Sequence, residues 1–292
     1  MRLIQLVDAS AARLDEAGAA FGHGTANAFD EAAWLVLWQL GLPLDDLDGV
    51  AEMAVSPQQQ DSVEELVAER IASRKPAAYL TREAWLQGVP FYVDERAIVP
   101  RSFIAELLVQ GDIDPWLGEH TKHVLDLCTG NGSLAVLAAM TYPEVTVDAA
   151  DISEPALEVA RINVAKHGLD DRVRLLHSDG LASAQGPYDL ILCNPPYVNT
   201  SSMSQLPAEY RAEPALALAG GADGMDFVRA LLRDAPARMS EHAVLVLEIG
   251  NERGHFEAAF PRLEVVWLET SAGEDQVLLV TREALEDLSL RA

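Results

Sequence analysis

Asp189-Leu-Ile-Leu-Cys-Asn-Pro-Pro-Tyr197 is the stretch around which the rest of this chain is ordered. Leu190 to Cys193 form an unbroken apolar run behind one acid, the length and composition of a strand buried on both faces of a parallel sheet. The two prolines then fix φ and push the residue before each, Asn194 and Pro195, into extended backbone. Asn194 is thereby held at the strand end, with Tyr197 at a fixed offset. Ligands of open α/β sheets bind beyond the carboxyl ends of the strands. A rigid Asn194-Pro195-Pro196-Tyr197 there suits a flat group carrying an NH2, whose hydrogens oxygen atoms accept and whose face a ring covers. A Pro-rich turn that merely ends a strand is the plainer alternative.

Outward from this strand the pattern alternates. Strands are expected at 124–128, 145–150, 173–177, 190–193 and 243–249, with helices at 133–140, 154–167, 226–239 and 252–260. Residues 263–268 and 276–281, around a Gly-containing loop, read as a closing antiparallel pair. The expected fold is α/β: a mostly parallel seven-stranded sheet with an antiparallel last strand and helices on both faces. Residues 1–75 read instead as a small helical domain. Its apolar stripe at Leu3, Leu6, Val7 and Leu14 is followed by helices at 30–40 and 62–73, the last with Glu64 and Glu65 in its first turn. His23, between two glycines, reads as a loop or packing residue. Residues 76–110 form a linker. Its apolar runs at 91–93 and 97–99 about the charged Asp94-Glu-Arg96 suggest a β-hairpin, and Ser102 is placed to cap a helix running through Gln110. The sheet domain occupies 111–292. His120 and His123 lack companion ligands nearby in sequence, so a solvated linker is expected rather than a metal site.

Bulk properties narrow the class. The 292 residues are 49% hydrophobic, which fits an ordinary globule of one larger and one smaller domain. No apolar run approaches a membrane span, and the first residues lack a signal peptide's basic head and long apolar core, so a cytoplasmic protein is expected. Cys128 and Cys193 are the only cysteines, too few for a disulfide framework; small buried residues are expected, not a redox pair. The formal charge of −25 repels nucleic acid and attracts basic partners, though a salty habitat also favours acidic surfaces.

Asp126-Leu-Cys-Thr-Gly-Asn-Gly132 falls at the junction of the first sheet strand and its helix, where Gly130 and Gly132 allow a tight turn and close backbone approach to a ligand. It is not the dinucleotide fingerprint, since Ala135 takes the place of the third glycine, nor a phosphate loop, since no Gly-Lys-Ser/Thr follows. Asp151 ends the next strand, at a spacing that suits a bond to both ribose hydroxyls, and Asp179 ends the third, where it would meet an adenine amino group. Together these expect an adenosyl ligand bound without phosphate recognition, which S-adenosylmethionine fits.

Asp126 to Gly132, Asp151, Asp179 and Asn194-Pro-Pro-Tyr197, in this order, resemble the class I (Rossmann-like) methyltransferases that modify protein glutamine. Glu213-Pro-Ala-Leu-Ala-Leu, Gly220-Gly-Ala-Asp-Gly224 and Leu247-Glu-Ile-Gly250 extend the resemblance over nearly the whole chain. Within the family, one subgroup modifies peptide-chain release factors and usually carries Pro-Arg-Pro-Glu-Thr-Glu where this chain has Pro100-Arg-Ser-Phe-Ile-Ala-Glu106. Phe21-Gly-His-Gly-Thr-Ala-Asn27, Ala84-Trp-Leu, Phe91-Tyr-Val-Asp-Glu-Arg96 and Cys128-Thr-Gly look like the subgroup that modifies ribosomal large-subunit protein three; Phe103 departs from its expected proline.

The resemblance implies that Asp126, Thr129, Gly130, Asn131, Gly132, Asp151, Asp179, Gly180 and Asn194 bind S-adenosylmethionine, although Gly180 stands where the release-factor enzymes often place an aromatic over the adenine. It implies that Asn194, Pro195, Pro196 and Tyr197 grip the glutamine amide, with Phe91 and Arg101 as further lining, and that the helical domain recognises the substrate. The implied partner is the basic ribosomal protein, met free rather than assembled, with no nucleic acid, membrane or metal. Release-factor methylation is the nearest rival. Adenine-amino methylation of nucleic acid shares Asn-Pro-Pro-Tyr but wants a basic track. An inactive cofactor-sensing scaffold is the rival from outside enzymes.

Overall fold

A computed structural model describes residues 1–290. The main sheet contains β3 (His123–Leu127), β4 (Thr146–Asp151), β5 (Val173–His177), β6 (Tyr188–Cys193), β7 (Met239–Glu248), β8 (Val266–Thr270) and β9 (Gly273–Thr281), after a short hairpin of β1 (Ala84–Leu86) and β2 (Val89–Phe91). The order across it is β5-β4-β3-β6-β7-β9-β8. Strands β3 to β7 pair in parallel, and β9 runs antiparallel to both neighbours. The mostly parallel sheet with an antiparallel last strand is therefore present. The order reverses between β3 and β6, a switch point that leaves a crevice beyond their carboxyl ends.

Strand β6 is central because its residues have no polar face to give to water. Leu190, Ile191, Leu192 and Cys193 are all fully buried. Their period of two divides them between the faces: Leu190 and Leu192 pack with Val124, Val244 and Val246 in one core, and Ile191 and Cys193 with Leu125, Leu245 and Leu247 in the other. Each such Leu stabilises the fold by about 1.5–3 kcal/mol through area removed from water. Cys128 and Cys193 end neighbouring strands, Leu127 being in register with Cys193.

The N-terminal helices Leu3–Glu16, Ala28–Gln39 and Pro57–Ser73 bury a core of their own around Leu3, Leu14, Leu35 and Val63. The third starts earlier than expected. Ser56 accepts the Gln59 N–H at 3.3 Å while the Gln59 side chain accepts the Ser56 N–H at 3.0 Å, and Pro57 supplies preset φ; Glu64 and Glu65 therefore lie past the first turn. The helix expected over 226–239 covers only Asp226–Asp234, because Pro236 has no N–H to continue it, and Met239 already belongs to β7.

The linker hairpin also differs. Its turn is Gln87-Gly88, both with positive φ (51° and 75°), which matches the twist of paired strands. The expected turn at Asp94-Glu-Arg96 exists, but its flanks do not pair: the Asp94 carboxylate closes it by accepting from the Arg96 backbone at 3.1 Å and guanidinium at 2.7 Å. Those bonds, chiefly from the Arg96 side chain, hold Asp94 down at about 2. No helix among the described residues is long and apolar enough to cross a membrane.

Candidate active site at the carboxyl ends of the parallel strands

The turn after β3 is built by Asp126. Fully buried, its Oδ2 accepts from Thr129 Oγ1 at 2.5 Å and from the Ala135 N–H at 2.9 Å, tying the strand end to the start of the Ser133–Thr141 helix. Burial pushes its carboxyl up to about 7 against those two bonds. Asn131 is clamped by Asn163, whose Nδ2 donates to the Asn131 carbonyl at 2.8 Å, and Gly132 lies so close to the next helix that a Cβ would come within 3.0 Å of the Ala160 Cβ. Gly130 is the opposite case: its φ is +55° and a Cβ there would meet nothing within 4 Å. Its N–H donates to Asp151 Oδ2 at 2.9 Å, and Asp151 Oδ1 accepts the Ser153 N–H at 2.8 Å. Burial raises the Asp151 carboxyl, against backbone hydrogen bonds that lower it.

A cavity of about 340 Å³ opens above this turn. Gly130, Asp151, Asp179, Gly180, Asn194 and Pro196 all line it, so residues that follow four strands meet around one cavity. The Asn194 side chain makes no hydrogen bond within the described protein and is free to engage a ligand. Asp126, Thr129, Asn131 and Gly132 sit behind the turn and shape it. Pro195 is buried beside the wall, and Tyr197 stands beyond it.

Three glycines enclose Tyr197. A Cβ at Gly220 would lie 2.7 Å from the Tyr197 Cα, one at Gly224 would lie against its carbonyl oxygen, and one at Gly250 would lie 2.5 Å from the ring. The backbone of Val198 pairs with residues 218–220, accepting from Gly220 at 2.9 Å and donating to Leu218 at 2.8 Å. The Tyr197 hydroxyl is 3.4 Å from Glu248 Oε1, a long bond; burial and the neighbouring Glu248 carboxyl raise its pKa. Glu248 ends β7, and its Oε2 accepts from Ser102 Oγ at 2.5 Å and from the Phe103 N–H at 2.9 Å. Burial pushes Glu248 up to about 7, against those bonds.

Two expected lining residues, Phe91 and Arg101, are not on the wall of this cavity, although Arg101 stands near Tyr197. Phe91 is fully buried in the core, its ring centroid 5.4 Å from that of His167; as the last residue of β2 its side chain follows the hairpin's apolar face. Arg101 is drawn to a stronger partner, the buried Glu213, by two bonds of 2.7 Å. Burial would raise Glu213, but the Arg101 charge and bonds hold it at about 2. Glu213 also accepts the Val99 N–H at 2.9 Å, and His23 packs on Tyr210 with ring centroids 4.3 Å apart. Nearby, Arg70 has no exposed surface: it donates to Glu31 at 2.8 Å and to Glu209 at 3.1 Å, and Arg74 adds a second cation to Glu209 at 2.9 Å. The segment from Glu209 to Glu213 is thus fastened to both the N-terminal helices and the linker.

Phe227 escaped the sequence reading. It lines the cavity from the first turn of the Asp226–Asp234 helix, and a Cβ on Gly180 would lie 4.0 Å from its ring, so an aromatic does stand near Gly180 but comes from a distant segment. Its place three residues after Gly224 was the available signal.

The site's residues suit an adenosylmethionine. Asp151 and Asp179 present carboxylates on the cavity wall, and Gly130 and Gly180 open the backbone to it. Asp126 Oδ1 and Asn131 Nδ2, in the same turn, are buried with no hydrogen-bond partner.

Residues 106–210 match the methyltransferase small domain. The chain is 54% identical to the ribosomal protein uL3 glutamine methyltransferase of Bordetella pertussis, over 97% of this chain and 96% of that one. It is 52% identical to that of Burkholderia pseudomallei, over 94% and 92%, and 46% identical to that of Bradyrhizobium diazoefficiens, over 97% and 92%. Among solved structures, the hMettl16 catalytic domain in complex with MAT2A 3′UTR hairpin 6 shares the fold, with a TM-score of 0.52 at 13% identity over 77% of this chain and 81% of that one.

Proposed function

The chain belongs to the ribosomal protein uL3 glutamine methyltransferases, and from that premise we propose that it methylates the side-chain amide nitrogen of a glutamine in uL3, using S-adenosylmethionine. One observation carries the reading at the site: the unengaged Asn194 amide lines the same cavity as Asp151 and Asp179, so an acceptor for an NH2 group opens onto a space with acids suited to an adenosyl group.

S-adenosylmethionine, when bound, supplies a methyl group on a positively charged sulfur. Asp151 would hold the ribose hydroxyls, Asp179 the adenine amino group, and Phe227 would lie against the base. A glutamine amide nitrogen is a poor nucleophile because its lone pair is shared with the carbonyl. The Asn194 Oδ1 and the Pro195 carbonyl accept its two hydrogens and push density back onto nitrogen. Tyr197, wedged by its three glycine neighbours, holds the amide plane. Such fixed alignment lowers barriers by up to about 7–11 kcal/mol. Positive charge grows on the nitrogen during transfer, so these oxygens stabilise the transition state more than the ground state. The N-methylated amide is strongly acidic before it loses a proton, so water suffices as acceptor, and no histidine among the described residues lines the cavity.

The field of −25 draws in a basic substrate and disfavours an RNA-covered one, so uL3 is met before assembly. The test offers purified uL3, release factor and intact ribosomal particles with methyl-labelled cofactor. Label on free uL3 alone supports the proposal; label on the release factor alone overturns the substrate, and equal rates on particles overturn the free state. Asn194→Ala should cut turnover far more than S-adenosylhomocysteine affinity, and equal losses in both would refute its role in gripping the amide.

A further inference from the structure

The N-terminal helices and the β1–β2 hairpin enclose a second concavity of about 720 Å³, outside the transfer site. Its rim carries two of the chain's exposed large apolar side chains, Phe29 and Trp85, which are 41% and 46% accessible. Singly such residues are ordinary, but here they face one concave surface together with the indole of Trp34. The Trp34 Nε1 is buried and donates to nothing in the described protein. The ionic lining is of one sign. Asp30 and Asp45 contribute carboxylates, no Lys or Arg does, and Asp45 is exposed with no ion pair. The floor reaches His23, which packs on Tyr210 and lies 3.5 Å from Glu213. The next residue, Pro214, lines the transfer cavity, so the floor of the groove connects to that cavity through His23 and Glu213.

We propose that this groove docks a second segment of the protein substrate, extended and basic, with a large apolar side chain against Phe29 and Trp85 and a lysine or arginine on Asp45. The inference rests on uL3 being the substrate. A protein that binds rRNA neutralises phosphates with Lys and Arg, and before assembly those side chains have no counter-charge. The groove offers it carboxylates beside apolar anchors, the pairing that concentrates binding energy in a few aromatic contacts. Docking here, away from the reacting glutamine, governs how tightly the substrate binds and leaves the methyl-transfer geometry alone.

The test compares wild type with Trp85→Ala and, separately, Asp45→Lys, which alters a solvent-exposed side chain and leaves the packing intact. Labelling of uL3 is measured first, then the Kd for uL3 in saturating S-adenosylhomocysteine by fluorescence anisotropy, and the Kd for S-adenosylhomocysteine itself by calorimetry. The expected result is a uL3 Kd raised about tenfold or more in each variant, with unchanged S-adenosylhomocysteine affinity. Wild-type uL3 affinity in both variants overturns the groove while leaving methylation standing. Parallel loss of S-adenosylhomocysteine affinity also overturns it, since these residues would then be supporting the fold. Failure of the wild type to label uL3 removes the substrate and this proposal with it.

Discussion

Gly250→Ala tests whether the position of Tyr197, as distinct from its presence, sets the rate. The added Cβ would lie 2.5 Å from Tyr197 Cε2, 3.0 Å from Cζ and 3.2 Å from the hydroxyl oxygen. Ordinary contact begins at 3.4 Å, so the ring has to retreat by about 0.9 Å, and it has little room: Gly220 and Gly224 hold its backbone on the other side. Misplacement of about 1 Å in a site that works by alignment costs on the order of 10²-fold in rate. The backbone adds a smaller effect, because φ at Gly250 is +53°, where an L side chain costs about 1–2 kcal/mol. We expect kcat on uL3 to fall about 10²-fold and Tm by a few degrees, with S-adenosylhomocysteine affinity unchanged. Tyr197→Phe, which removes only the 3.4 Å bond to Glu248, should lose about tenfold or less. A folded Gly250→Ala enzyme turning over within threefold of wild type would refute the reasoning.

Glu248 gives a pH signature. Its pKa is raised to about 7 by burial, so the folded state binds its proton more tightly than the unfolded chain does. Its contribution to stability is therefore complete below the unfolded value and is lost as pH rises through about 7. Glu248→Gln should flatten the fall in Tm between pH 5 and about 8 relative to wild type; identical slopes would mean that other groups, Asp126 among them, carry it. Arg70→Met removes the arginine paired with Glu31 and one of the two paired with Glu209 among the described residues, and we expect about 3–5 kcal/mol of lost stability by denaturant titration. A loss under 1 kcal/mol would show that the remaining partners, Arg74 and Thr25, suffice. Cys128 adopts φ +62° at the end of β3; Cys128→Val, β-branched in that region, should lower Tm by several degrees, and unchanged stability would show that the turn relaxes around it.

What was legible in the sequence was local. A buried strand ending in Asn-Pro-Pro-Tyr, a turn with Gly130 and Gly132, and acids at strand ends each declare themselves through neighbouring residues, and the alternation of strand and helix fixed their order. Asp126 was legible as a site residue but not as the turn's buried organiser, since that depends on Ala135 and Thr129 closing around it. Phe227 and Glu248 stand near Asn194-Pro-Pro-Tyr197 only because helix and sheet packing brings distant segments together. Gln87 hid the hairpin because a non-glycine at positive φ leaves no compositional mark. The pairing of Arg101 was hidden for the converse reason: its buried partner Glu213 is more than a hundred positions away.

The fastening of Glu209 by Arg70 and Arg74 bears on how this architecture diversifies. A helical unit grafted from a relative onto this sheet would arrive without its matching cations unless both arginines came too, leaving a carboxylate buried and uncompensated. The helical unit and the sheet, although they bury separate cores, are therefore tied together by buried charge. Changes on the exposed face of the helices leave this ionic seam intact, whereas exchange of the whole unit has to carry both arginines with it.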